Sequence, residues 1–79
     1  MPNPQRMEIL KKLPPLEAVQ AWLNGDFGMN EESALCTAIR KDPQITLSDD
    51  AIAEVIVNAM DDELTAAACL ERLAASVGA

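Results

Sequence analysis

Apolar residues recur along this chain at helical spacing, in short bursts closed by residues that helices tolerate poorly. The spacing predicts helices near 4–12, 15–24, 30–41, 48–60 and 62–76. In the first, Met7 and Leu10 form one edge of the apolar face, and Ile9 and Leu13 the other. Asn3 is placed to cap it and Pro4 takes its first position. Pro14-Pro15 ends it, because proline disfavours α geometry in the residue before it. Pro15 opens the second helix, where Leu16, Val19 and Leu23 recur with Ala18 and Trp22 on the adjoining flank. Asn24-Gly25 stops it, since glycine takes the left-handed C-terminal position without steric cost. Asp26-Phe27-Gly28 reads as a loop.

Asn30 is the expected cap of the third helix, with Glu31 and Glu32 in its first turn and Met29 stapling onto Ala34. Leu35, Ala38 and Ile39 form its inner face. Arg40 and Lys41 suit its negative end, and Pro43 forces the exit. Ser48 caps the fourth helix, with Asp49 and Asp50 in the first turn and Leu47 stapled to Ile52. Ile52, Val55, Ile56, Ala59 and Met60 make its stripe. Asp61-Asp62-Glu63 forms a cap-like cluster before the last helix, which carries Ala66, Ala67, Leu70, Leu73, Ala74 and Val77 on one side. A hint of strand at 44–47 is too short to pair alone. The expectation is an all-α chain: one domain over 1–79, a compact bundle of four to five short helices with no significant β structure.

Between Ser48 and Val77 there is neither Gly nor Pro. A single helix over 49–76 would be ~42 Å long at the standard rise. A domain of this length has a diameter of only about 30 Å. A break at Asp61-Asp62 is therefore expected.

The fourth helix is apolar over more than half its circumference, because Ala53, Val57 and Met60 join the stripe and only Glu54 and Asn58 remain polar between its ends. Such a helix is either central to the bundle or part of a protein interface. The candidate interface residues are Trp22, Ile52, Val55, Ile56, Val57 and Met60. Trp22 reads either as a binding anchor or as a core cover packed on Phe27 across the Gly25 turn. Ala66, Ala67, Ala68, Ala74 and Ala75 allow a close helix neighbour, either within the bundle or across a homodimer seam.

Composition narrows the function classes. Of 79 residues, 13 are acidic, 6 are basic and none is His, giving a net charge of −7. Trp22 and Phe27 are the aromatic residues, so aliphatic side chains must fill the core. The acidity argues against direct nucleic-acid binding, despite the small basic end of Arg6, Lys11 and Lys12. No apolar run approaches the ~20 residues of a membrane span. The first residues, with Pro2 and Pro4, lack the apolar region of a signal peptide. A cytoplasmic chain is expected. Cys36 and Cys69 are too few for a disulfide scaffold; they read as reduced thiols or as one bridge between their helices.

Catalytic chemistry has little to draw on. There is no His or Tyr, the two Cys lack zinc-ligand spacing, and Gly25, Gly28 and Gly78 form no phosphate loop. The acidic pairs lack EF-hand spacing. No catalytic, cofactor or metal residue is expected, and the chain reads as a non-enzymatic protein-binding module, an adaptor or inhibitor whose partner is another protein or its own copy. One alternative treats the acids as a nucleic-acid mimic that inhibits a DNA- or RNA-binding protein. The acids gather at 31–32, 49–50 and 61–63, however, each in the expected first turn of a helix, where they complement the dipole.

A second alternative rests on local text. Asp26-Phe27-Gly28 with Glu32-Ser33-Ala34-Leu35, and Ile45-Thr46-Leu47-Ser48-Asp49-Asp50, resemble two segments of the acyl carrier protein family. The first resembles the loop and serine that open that family's second helix, the second the segment before its third. The resemblance implies Ser33 as a phosphopantetheine attachment point. The sequence departs from the family in having Glu32 and Ala34 around that serine in place of Asp and Leu. It also has extra residues between Gly28 and Ser33, and a Pro14-Pro15 break in what would be one long first helix.

Overall fold

The computed structural model describes residues 4–76, which form helices α1 (Pro4–Lys12), α2 (Pro15–Leu23), α3 (Glu32–Ile39), α4 (Asp49–Asp61) and α5 (Ala66–Ala75). A single 3-10 turn, Met29–Glu31, leads into α3, and the described residues contain no strand. The chain is an all-α bundle. Asn3 and Val77, expected at the first cap and on the last helical face, lie outside the described residues.

The shortest α-helix holds the centre. Helices α1, α2 and α4 all pack on α3, and α5 closes the bundle against α2 and α4. Ala34, Leu35, Cys36, Ala38 and Ile39 of α3 are all closed to solvent. Three of the five are small, which lets neighbours approach toward the lower end of the ~8–10 Å helix spacing. Leu10 of α1, Val19 and Trp22 of α2, Ile52 and Ile56 of α4, and Cys69 and Leu73 of α5 fill the surrounding core. The central position therefore belongs to α3. Helix α4 lies at the flank, burying Ile52, Ile56 and Ala59 and exposing Val57 and Met60.

Several local expectations are corrected. The third helix was expected over 30–41 with Asn30 as its cap. Instead Gly28 is the extended residue before a 3-10 turn, and Glu31 folds back to accept its N–H at 3.3 Å. The α-helix proper ends at Ile39, because the next amides tighten into i−3 pairs, Lys41 to Ala38 at 3.3 Å and Asp42 to Ile39 at 3.1 Å. Met29 stands 76% exposed rather than closing over Ala34. On α1, Ile9 faces outward while Leu10 is buried. On α2, Leu16 is exposed, and Ala18, Val19 and Trp22 turn inward. Residues 44–47 form no strand; the Asp42 carboxylate accepts the Gln44 N–H at 2.9 Å, and Ile45 and Leu47 then drop into the core.

The last helix begins at Ala66, not at 62, and its cap is Thr65, whose hydroxyl accepts the Ala68 N–H at 3.2 Å. Helix α4 ends in a Schellman motif: Glu63 N–H bonds the Met60 carbonyl at 3.1 Å and Leu64 N–H bonds Ala59 at 2.9 Å. Glu63 takes the left-handed conformation at φ 55°. Helix α2 ends the same way, with Gly25 at φ 83° bonding Trp22 at 3.0 Å and Asp26 bonding Ala21 at 3.1 Å. The acids at 61–62 consequently sit at the C-terminal end of α4, where the dipole disfavours them. Arg72 offsets one of them, reaching Asp62 at 3.1 Å. The break keeps the molecule to 32 Å in its longest dimension.

A left-handed residue with a Cβ costs about 1–2 kcal/mol. Glu63→Gly is therefore expected to stabilise the fold by about 1 kcal/mol, part of the gain being lost to the freer unfolded chain. That corresponds to a rise in the thermal midpoint of about 4–8 °C. Circular dichroism melts check it, and an unchanged or lower midpoint would show that the backbone at 63 carries no such cost.

Candidate functional site: a groove beside α4

A predominantly apolar groove of about 360 Å³ runs beside α4. One wall is α4 itself, through Ile52, Ala53, Ile56, Val57 and Met60. Leu35 and Cys36 of α3 contribute, as do Trp22 of α2 and the loop residues Gly25, Phe27, Gly28 and Met29. Glu32 and Asp61 are its charged lining residues. The helical period explains the α4 wall: residues 52, 53, 56, 57 and 60 share one face. Their burial grades across it, from Ile52 and Ile56 in the core to Val57 at 55% exposure and Met60 at 48%.

Five of the six candidate interface residues therefore meet in one place: Trp22, Ile52, Ile56, Val57 and Met60. Val55 does not; it is half-buried and packs against the core elsewhere on α4. The loop wall was legible only at Phe27, read as packing on Trp22 across the Gly25 turn; Gly28 and Met29 were missed. These residues follow Trp22 closely in sequence, and the left-handed turn at Gly25 brings them back beside it.

Arg6 of α1 holds that loop in place. Its Nε donates to Glu31 Oε1 at 3.1 Å, its Nη2 donates to the Asp26 carbonyl, and its guanidinium lies 5.1 Å from the centroid of the Phe27 ring. Among the described residues Glu31 is the buried charged one, at 6% exposure, and its carboxylate is satisfied by Arg6 and by the Gly28 N–H. A buried carboxylate is tolerated only with such partners. Carboxylate, ring and carbonyl are thus tied to α1 by one side chain.

No group of metal-ligating side chains is found among the described residues. Among those residues every buried side-chain polar atom also has a hydrogen-bond partner. Cys36 and Cys69 are free and buried. Burial pushes both thiols up; Glu32 and Asp50 add to the rise at Cys36, against Arg40, and Arg72 opposes it at Cys69. Ser33 is exposed at the start of α3, and its carbonyl accepts the Thr37 hydroxyl at 3.0 Å. A second, shallower depression of about 280 Å³ lies between α2 and α5, around Leu16, Ala67, Leu70 and Ala74. Within α5, Ala66 is buried toward the bundle while Ala67 and Ala75 face outward. No helix among the described residues is long and apolar enough to cross a membrane. No family model, curated protein or solved structure matches this chain.

Two outcomes are expected. Arg6→Ala removes the partner of a buried carboxylate, and because Arg6 is itself half exposed the loss is about 1–2 kcal/mol. Emission from Trp22 should shift with it as the loop wall loosens, whereas a melt and an emission spectrum both like the parent's would mean that Arg6 holds nothing. The thiols supply a pH dependence. Their folded pKa values lie above the unfolded ones, so their contribution is fully present below about pH 8.5 and is lost as pH rises beyond it. Denaturant midpoints measured from pH 7 to 10 should fall across that window, and fall less in a Cys36→Ala/Cys69→Ala variant.

Proposed function

We propose that this chain is a small, acidic, helical protein-binding module of the cytoplasm, working as an adaptor or inhibitor through contact rather than catalysis. The observation that carries the reading is the groove beside α4, with Val57, Met60 and Met29 open to solvent at its edge. Single exposed apolar residues are ordinary. A cluster that shares one cleft with a Trp offers a partner one continuous apolar surface to bury. Trp and Met are enriched at interfaces. Met adds conformational adaptability, which suits a surface that must accept another chain. The four ion pairs of the described residues engage Glu8, Glu31, Asp49 and Asp62 with the chain's own cations, which favours a local structural role for those four acids over mimicry of a phosphate backbone.

Val57→Glu tests the reading. The position is more than half exposed, so the thermal midpoint should change little, within about ±0.5 kcal/mol of parent stability. The parent chain, used as bait in its native cell extract, should retain a stoichiometric partner that the variant loses. If the variant keeps the same partners and the same sedimentation profile as the parent, the groove is not the binding surface.

A further inference from the structure

We infer that the occupant of this groove is a basic amphipathic helix from another protein, its apolar ridge seated along α4 and its Lys or Arg flanks set against Glu32 and Asp61. The inference rests on the protein-binding reading above and names the chemistry of the partner.

Charge selects the sign. The charged residues lining the groove are both carboxylates, one from the start of α3 and one from the end of α4. Neither belongs to an ion pair among the described residues, although four other carboxylates do. No Lys or Arg lines the groove. A rim of unpaired negative charge around an apolar floor attracts a partner that carries the opposite pattern, and it repels acidic competitors.

The same pattern argues against a second copy. A two-fold contact is self-complementary, so it would set the groove of one chain against that of the other. Four carboxylates would then meet with no groove cation between them, in chains that each carry a net charge of −7.

Geometry selects a helix. The wall from Ile52 to Met60 rises ~12 Å, a little over two helical turns. An incoming helix anchored at i, i+3 or i+4, and i+7 spans ~10 Å, so its anchors match that wall. A peptide that binds by adding a strand would need a strand edge for its backbone, and the described residues contain no strand. Met29 and Met60 stand at the groove's edge, where flexible thioether side chains can close over differing anchors.

The single Trp lines the groove and supplies the readout. Two amidated peptides of about 18 residues, roughly five helical turns, carry one identical Leu stripe. One has Lys and Arg flanks, the other Glu flanks. Titrated into the intact chain at low salt, the basic peptide should shift Trp22 emission saturably at one peptide per chain, and the acidic peptide should not. Glu32→Gln/Asp61→Asn should weaken the basic peptide about five-fold. Glu17→Gln/Glu71→Gln, which removes the same charge away from the groove, should leave its affinity unchanged.

Equal binding of the two peptides, or equal weakening by the two double variants, overturns the inference while leaving the protein-binding reading intact. So does a dimer in sedimentation that Val57→Glu converts to monomer, since the occupant is then a second copy. If neither peptide shifts Trp22 and Val57→Glu changes no partner, the inference and the reading on which it rests both fail.

Discussion

The arrangement depends on the burial of one short helix on three sides. Helix α3 has only eight residues, and its small side chains Ala34, Cys36 and Ala38 let α1, α2 and α4 close around it. A chain this small has little core to spare, so its stability rests on filling that centre densely. The consequence for α4 is geometric. Its thirteen residues rise ~20 Å against ~12 Å for α3, so α4 overhangs the helix it packs on. The overhang needs a second wall, and the loop after α2 supplies one without filling the space between. The groove lies between α4, α3 and that loop.

That second wall is itself held at a distance. The left-handed turn at Gly25 ends α2 and sends the chain back past Trp22. A Cβ at 25 would meet no neighbour, so the glycine is required by its φ and not by crowding. Arg6 then fixes the returning strand of chain through the Asp26 carbonyl, the Phe27 ring and Glu31. Burying Glu31 is costly in isolation, yet with Arg6 and the Gly28 N–H in place it orients the entry to α3. Packing of α1 on α3 is thereby coupled to the shape of a groove that α1 does not line.

Helix identity was legible because each segment carries a period, and α1, α2 and α3 are followed by a Pro or Gly stop signal. The groove was legible in part for the same reason: residues 52, 56, 57 and 60 share a face by arithmetic alone. Which edge of a face turns inward was not. With apolar residues on both edges of α1, the choice between Ile9 and Leu10 is made by α3, and Leu16 loses to Ala18 and Val19 on α2 in the same way. The break at Asp61-Asp62 was legible from length alone, but the motif that makes it was hidden, because a Schellman motif usually announces itself by glycine and here Glu63 takes the left-handed position at local cost. The buried Glu31 was hidden because its partner lies 25 positions away.

That same break reinterprets the acids at the end of α4. In the first turn of a helix Asp61 and Asp62 would be favourable; at the end of one they oppose its dipole by about 0.3–1 kcal/mol apiece. Asp62 recovers part of this through Arg72. Asp61 has no ion-pair partner among the described residues, and it lines the groove. Glu32 differs, since it stands in the first turn of α3 where the dipole favours it. Asp61 is therefore a carboxylate that helix physics disfavours, and it borders the apolar cleft. A cation brought there by a partner would neutralise the clash with the helix end and pair with the carboxylate at once. Binding of a basic helix would relieve a cost that the free protein carries.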